Sequence, residues 1–396
     1  MTAAELAVML QNPWLCGAAL ASAVQPLALG LVNMRRYAEA PALAEAAPVT
    51  RGRRVAVCVP ARNEAGNIEE CVRSILASGE VDVRAYVYDD ESTDGTGEIV
   101  AALAAEDARV VVVPRRPLPE GWNGKQHACH RMAEHALAHD PRVDWFLFTD
   151  ADVRFEPDAV ARSLGFALRS SSALVSTVPR EITGSVGEML LVPLIHFVLM
   201  SYLPFGRMRA TLDPAASAAC GQFILVERGA YRASGGHEGF KASMHDGVKF
   251  PRAVRRVGLR TDLFDGTGSV SCRMYRGFGQ TWRGFAKNAY EGLGGMGLLV
   301  FITVYHALGQ LLPWVVVALA LATGAWGAGA SLASVAIVCS LVLRFALARR
   351  FRQSLGNVVL HPLSIVTLAL VQWWSLWLHQ TGRRGWKGRV AGRPAS

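Results

Sequence analysis

The alternation of apolar and polar positions divides the chain into three parts. Leu6 to Met34 holds no Asp, Glu, Lys or Arg and stops at Arg35 and Arg36, as a spanning helix stops at a cytoplasmic edge. Gln11, Asn12 and Gln25, with Pro13 and Pro26, leave an interfacial hairpin as the alternative. No lysine or arginine precedes the run, so it does not read as a cleaved signal peptide. Gly292 to Leu343 and Gln353 to Gly382 are also free of charge, separated by Arg344, Arg349, Arg350 and Arg352. The first is long enough for two helices, with Gly324, Gly327 and Gly329 around Trp326 supplying the turn. Trp373, Trp374 and Trp377 suit an interfacial aromatic belt or packing between helices. Three crossings after the N-terminal one would leave the basic tail Arg383 to Arg393 outside, against the charge rule. Pro362 would allow a re-entrant or interfacial last segment instead.

From Arg53 onward the pattern becomes short apolar strand, polar loop and amphipathic helix, repeated, which predicts an α/β domain with a largely parallel sheet. Val55–Val59, Val83–Tyr88, Val110–Val113 and Trp145–Thr149 read as strands. Asn67–Ser78, Asp94–Ala105 and Gln126–His139 read as helices. Ligands in such folds gather beyond the C-terminal strand ends. Pro60-Ala61-Arg62-Asn63-Glu64 follows the first strand, Asp89-Asp90-Glu91-Ser92-Thr93-Asp94 the second, and Asp150-Ala151-Asp152 the Trp145 strand. One Asp-x-Asp alone often only caps a helix. Three polar clusters in this order are a stronger signal.

Two further clusters carry chemistry. Gly121-Trp122-Asn123-Gly124-Lys125 precedes a helix, where Lys125 and backbone N–H groups would meet phosphate; an ordinary lysine in a tight turn is the alternative. His245 and Asp246 open a basic amphipathic helix that runs to Val257, and Asp246 would otherwise simply cap it.

The strand with its Asn-Glu turn, the acidic pairs, the Gly-Lys and the Asp246 helix together resemble the family 2 glycosyltransferases over roughly Arg54 to Glu291. The resemblance implies a GT-A, Rossmann-like, mostly parallel catalytic domain over residues 50–291. N-terminal (1–36) and C-terminal (292–396) transmembrane regions would flank it. It also implies that Arg62, Glu64, Asp89, Asp90, Lys125 and Asp150 bind the nucleotide sugar. Asp150 and Asp152 would hold a divalent cation, Mg2+ or Mn2+, against the diphosphate, and Asp246 would be the general base. In that family an acidic pair, usually Glu-Asp, stands where this chain has His245-Asp246, so His245 is expected only to position. Gln280 and Arg283 match the Gln-x-x-Arg-Trp of processive synthases, but Gly284 replaces Trp, so a polymer clamp is not supported. Leu118–Lys125, the His245-Asp246 helix, Arg273–Tyr275 and the tail Trp386-Lys387-Gly388-Arg389 are most similar to membrane-bound transferases of carotenoid and hopanoid pathways.

Composition agrees with a membrane enzyme. Half of the residues, 51%, are apolar, high for a soluble protein, and the excess sits at the two ends. The formal charge of +9 does not call for nucleic acid, because Arg35, Arg36, Arg383, Arg384, Lys387 and Arg389 flank apolar runs, where anionic lipid attracts them. Seven cysteines form no CxxC pair and fit free thiols in a reducing compartment. The partners expected are a nucleotide-sugar donor, a membrane-lipid acceptor and the bilayer, with no nucleic acid. The location expected is the inner (plasma) membrane, multi-pass, with the catalytic domain cytoplasmic. Inverting transfer of one hexose to a lipid is the reading; a processive synthase and a non-catalytic nucleotide-sugar binder are its rivals. Met189–Phe205, apolar and broken by Pro193, reads as an interfacial helix beside the acceptor or as a buried helix of the core.

Overall fold

The computed structural model describes residues 2–383, 385–386 and 389–390, so Arg384, Lys387, Gly388 and residues 391–393 of the expected basic tail lie outside the described residues. The chain forms two compact units. One comprises Tyr37–Ile182, Phe205–Met274 and the residues from Leu378; the other comprises Met1–Arg36, Thr183–Pro204 and Tyr275–Trp377.

The first unit is built on a seven-stranded sheet. Its strands are β1 (Arg54–Ala61), β2 (Asp82–Asp89), β3 (Val110–Val112), β4 (Trp145–Thr149), β6 (Leu174–Ser176), β8 (Phe223–Glu227) and β9 (Thr261–Leu263), in the order β3-β2-β1-β4-β8-β6-β9. β1 pairs in parallel with β2 and β4, whereas β8 runs antiparallel between β4 and β6. After Arg54, β1 is apolar and buried, as a strand covered on both faces must be. Val55, Val57 and Val59 pack with Ile68, Cys71, Val72 and Ile75 on one side, while Ala56 and Cys58 pack with Met132 and Ala133 on the other.

A second sheet joins β5 (Val153–Phe155), β10 (Val270–Cys272) and β7 (Arg180–Glu181) in the order β5-β10-β7. The expected helices appear as Ile68–Leu76, Thr96–Glu106 and Gly124–His139. The second begins later than the pattern suggests because Asp94 stays outside it. The Asp94 carboxylate accepts from Thr96 N at 3.1 Å and from Ala65 N at 2.9 Å, tying two loops together.

In the other unit, Pro13–Arg36, Met296–Thr323 and Ala328–Arg350 are long and apolar enough to cross a membrane. Gly324, in the left-handed conformation with φ +70°, ends the second of these as the glycine pattern anticipates. The last helix, His361–Gln380, leaves Trp373, Trp374 and Trp377 exposed. Met189–Phe205 resolves into helices Val186–Leu191 and Leu194–Tyr202, broken at Pro193. Their apolar face is buried: Leu191, Leu194, Phe197 and Met200 are inside, whereas Val198 is exposed. Asn33 donates to the carbonyl oxygens of Met200 and Leu203, both at 2.7 Å, fixing this segment to Pro13–Arg36. The segment is thus buried against the apolar helices and does not form part of the core of the sheet unit.

Candidate active site

Parallel register places the ends of β1 and β2 side by side, with Ala61 opposite Asp89 and Asp90 N donating to Ala61 O at 2.8 Å. Arg62 therefore lies against Asp90, bonded to its carbonyl oxygen and 3.6 Å from its carboxylate. Asn63, at φ +53°, turns the chain so that its side chain accepts from Thr93 N at 2.9 Å. Glu64 N donates to Thr96 Oγ1 at 2.8 Å, and its carboxylate accepts from Asn67 at 2.9 Å. Asp89 Oδ1 accepts from Ser92 N at 3.1 Å. Arg62, Glu64, Asp89 and Asp90 are thus brought to one edge, and the loops carrying them are laced by side-chain hydrogen bonds.

A second group forms across β4 and two helix N-termini. Asn123 caps Gly124–His139 by accepting from Lys125 N at 3.0 Å, which aims the lysine at the strand ends. Lys125 Nζ lies 2.7 Å from Asp150 Oδ1 and 3.0 Å from Asp246 Oδ2, and it donates to Gly221 O at 3.3 Å. Three acceptors use the three protons of the ammonium. Asp246 opens the helix Asp246–Arg256, and its Oδ1 accepts from Gly247 N at 2.8 Å.

Burial would raise the Asp246 carboxyl, but the charge and hydrogen bond of Lys125, with help from His245 and Gly247 N–H, hold it below the usual carboxylate range. Burial alone would lower Lys125; Asp150 and Asp246 instead hold it well above the ordinary lysine value. The site needs glycine twice. A Cβ on Gly221 would fall on Asp246 Oδ1, and one on Gly247 would fall on Ala219 O.

Asp152 leads directly into β5, where Val153 pairs with Cys272, which also pairs with Glu181 of β7. That small sheet supplies residues absent from the sequence-based site. Glu181 is buried, and burial followed by the charges of Asp152 and Asp150 pushes its carboxyl well above the carboxylate range. Burial, Asp152 and Glu181 likewise push the Cys272 thiol up. Gln222 donates to Cys272 Sγ at 2.9 Å. Carboxylates therefore accumulate behind the Asp-x-Asp motif. Among the described residues, no group of three or more His, Cys, Asp or Glu closes into a protein-only metal cage.

Residues 56–235, which carry both the β1/β2 edge and the Asp150-Asp152 motif, match the model of Glycosyl transferase family 2. The chain carries a family 2 glycosyltransferase domain. Among relatives of this chain is a 4,4'-diaponeurosporenoate glycosyltransferase of Staphylococcus aureus (strain USA300), 29% identical over 247 residues. That match covers 60% of this chain and 61% of that protein, less than two thirds of its length. The protein of the same name from strain MRSA252 is 27% identical over 84% of this chain and 87% of its own. Among solved structures, the mannosyltransferase PcManGT from Pyrobaculum calidifontis, in complex with GDP-Man and Mn2+, aligns with a TM-score of 0.52 at 19% identity. The alignment covers 91% of this chain and 99% of that one, and it shows that the chain shares the GT-A fold.

Proposed function

We propose that the enzyme transfers a single hexose, from UDP, to a lipid acceptor with inversion at the anomeric carbon. The observation that carries this reading is the Lys125 bridge: one half-buried cation holds Asp246 ionised and 3.0 Å away while lying 2.7 Å from Asp150. Asp246 takes the proton of the acceptor hydroxyl as that oxygen bonds to the anomeric carbon, and the bond to the diphosphate breaks on the opposite side. With a carboxylate acceptor no proton moves, and Asp246 stabilises the positive charge developing at the anomeric centre. Arg62, Glu64, Asp89 and Asp90 hold the nucleotide, with Lys125 and Asp150 nearer the diphosphate.

Asp150 and Asp152 fit a divalent cation, because carboxylates gather there without completing a cage. A hard cation of the Mg2+ or Mn2+ type takes one or two carboxylates and fills its remaining positions from substrate phosphates and water. Bound there, it would supply charge neutralisation of the departing diphosphate.

Two observations favour one sugar per acceptor and a membrane acceptor. A Cβ at Gly284 would fall on the phenol of Tyr275, so the tryptophan of the processive clamp has no room. Three helices suit a bilayer, and the curated relatives bear the name of a carotenoid-acid glycosyltransferase. With three crossings the catalytic unit and the basic tail share the cytoplasmic side, which satisfies the charge rule. A product-length assay on the purified protein tests the reading. One added sugar supports it, long chains favour a synthase, and donor binding without sugar release favours a binder.

A further inference from the structure

Outside the catalytic unit, the helix Ala328–Arg350 buries a charge that its sequence position beside Arg349, Arg350 and Arg352 conceals. Arg344 is fully buried, whereas Arg349 is exposed. Its hydrogen bonds go to neutral acceptors, Asn357 Oδ1 at 3.1 Å and Pro193 O at 3.5 Å, and its guanidinium carbon sits 5.6 Å from the Phe197 ring centre. A guanidinium shielded from water with no carboxylate opposite is costly. Its Nε has no hydrogen-bond partner among the described residues.

The groups around it share that condition. His361 packs on the same Phe197 ring at 5.4 Å and meets Gln310 Oε1 through Nε2 at 2.9 Å. Whichever way the Gln310 amide points, this pair keeps one unused N–H, on Gln310 Nε2 or on His361 Nδ1, and neither nitrogen has a partner. Gln353 accepts from Asn357 at 3.3 Å, so its amide nitrogen donates to His196 Nδ1 at 3.2 Å, which puts the His196 proton on an unpartnered Nε2. Three unused donors and one unmatched positive charge therefore gather in this apolar unit. Gln310 also lies in a π-helical turn, Ala307–Leu311, a local distortion frequent at functional sites.

We propose that Arg344, Gln310 and His196 form an intramembrane site for the acidic head of a lipid, a carboxylate or a phosphate. The chemistry follows from the donors: guanidinium pairs with planar or tetrahedral oxyanions through parallel N–H bonds, and the amide and imidazole N–H groups add further donors. Depth agrees, since Arg344 lies roughly 9 Å from the basic end of its helix, near the head-group level. The site stands independently of the sugar-transfer reading.

The full-length protein in phosphatidylcholine nanodiscs tests this by its unfolding temperature. One arm titrates phosphatidylglycerol and the other oleic acid. Wild type should show saturable stabilisation by one of them, and that acid names the source as bilayer phospholipid or carboxylic-acid lipid. Arg344→Gln should weaken it at least tenfold, while Arg349→Gln, on the exposed face, should leave it unchanged. Equal response in Arg344→Gln, or no response to either acid in wild type, overturns the proposal. Should Arg344→Gln not fold, Gln310→Leu and photo-crosslinking of wild type by a head-group diazirine lipid decide it. Crosslinks should map to residues 194–202 or 340–350, and their absence there overturns it equally.

Discussion

Asp246 and Lys125 are separated by about 120 residues yet share one contact of 3.0 Å, and the chemistry proposed turns on that pair. Asp246→Asn keeps the shape and loses the base, so turnover should fall about 10²- to 10⁴-fold while donor affinity changes little; single-turnover kinetics and donor titration separate the two. Because Lys125 holds Asp246 below the usual range, the active carboxylate persists on the acid side. Lys125→Met removes the charge and hydrogen bond that do most to offset burial, leaving only His245 and Gly247 N–H, so that carboxyl rises and the acid limb of kcat at saturating donor should move to higher pH. An unmoved limb would separate Lys125 from the base. Gly221→Ala should push Asp246 aside and lower kcat more than it weakens donor binding, as stopped-flow comparison with wild type would read. Asp246, Asp150 and the Arg62–Glu64 turn were legible in the sequence because each sits immediately after a strand or at a helix start. Glu181 was not legible. Nothing in Val178-Pro179-Arg180-Glu181 marks it, and only the pairing of β7 with β10, distant in sequence, carries it to Asp152. The sequence offered Lys125 either phosphate or an ordinary tight turn, and its pairing with Asp150 and Asp246 was not legible, since both carboxylates come from other elements further along the chain.

At the scale of elements, β1, β2 and β4 and the helices behind them follow from local pattern, because parallel strands buried on both faces are continuously apolar and short. The antiparallel β8 was missed. Phe223–Glu227 is apolar too, but its direction comes from pairing with β4 and β6, which no local pattern encodes. The segment Val186–Tyr202 shows the same limit: hydrophobicity was plain, its buried partner was not. Leu191 is wholly buried, so an acidic residue there would test folding rather than acceptor use. Val198 is exposed and offers the cleaner probe. Val198→Asp should weaken transfer to a long-chain acceptor while leaving donor binding unchanged, measured with acceptors of graded chain length.

For the whole molecule, the two apolar ends announced helices long and apolar enough to cross a membrane, and two helices around the glycine-rich turn at 324–329 were foreseeable from length alone. That Tyr275–Gly294 and Thr183–Pro204 join the apolar unit was not, because the helices of the first are mixed in polarity and the apolar ones of the second are too short to span. If the three apolar helices cross the membrane as proposed, the tail lies on the cytoplasmic side, so a cysteine introduced at Arg389 should resist labelling from outside intact cells. The central claim, metal-assisted transfer of one sugar to lipid with Asp246 as base, is tested most directly on membranes containing the full-length protein. These are incubated with labelled UDP-hexoses and divalent cation, and the lipid extract is resolved by mass. The account predicts a lipid heavier by one hexose, lost with Asp152→Ala or excess chelator and nearly lost with Asp246→Asn. A labelled polymer, or the same glycolipid formed undiminished by Asp246→Asn, would contradict it.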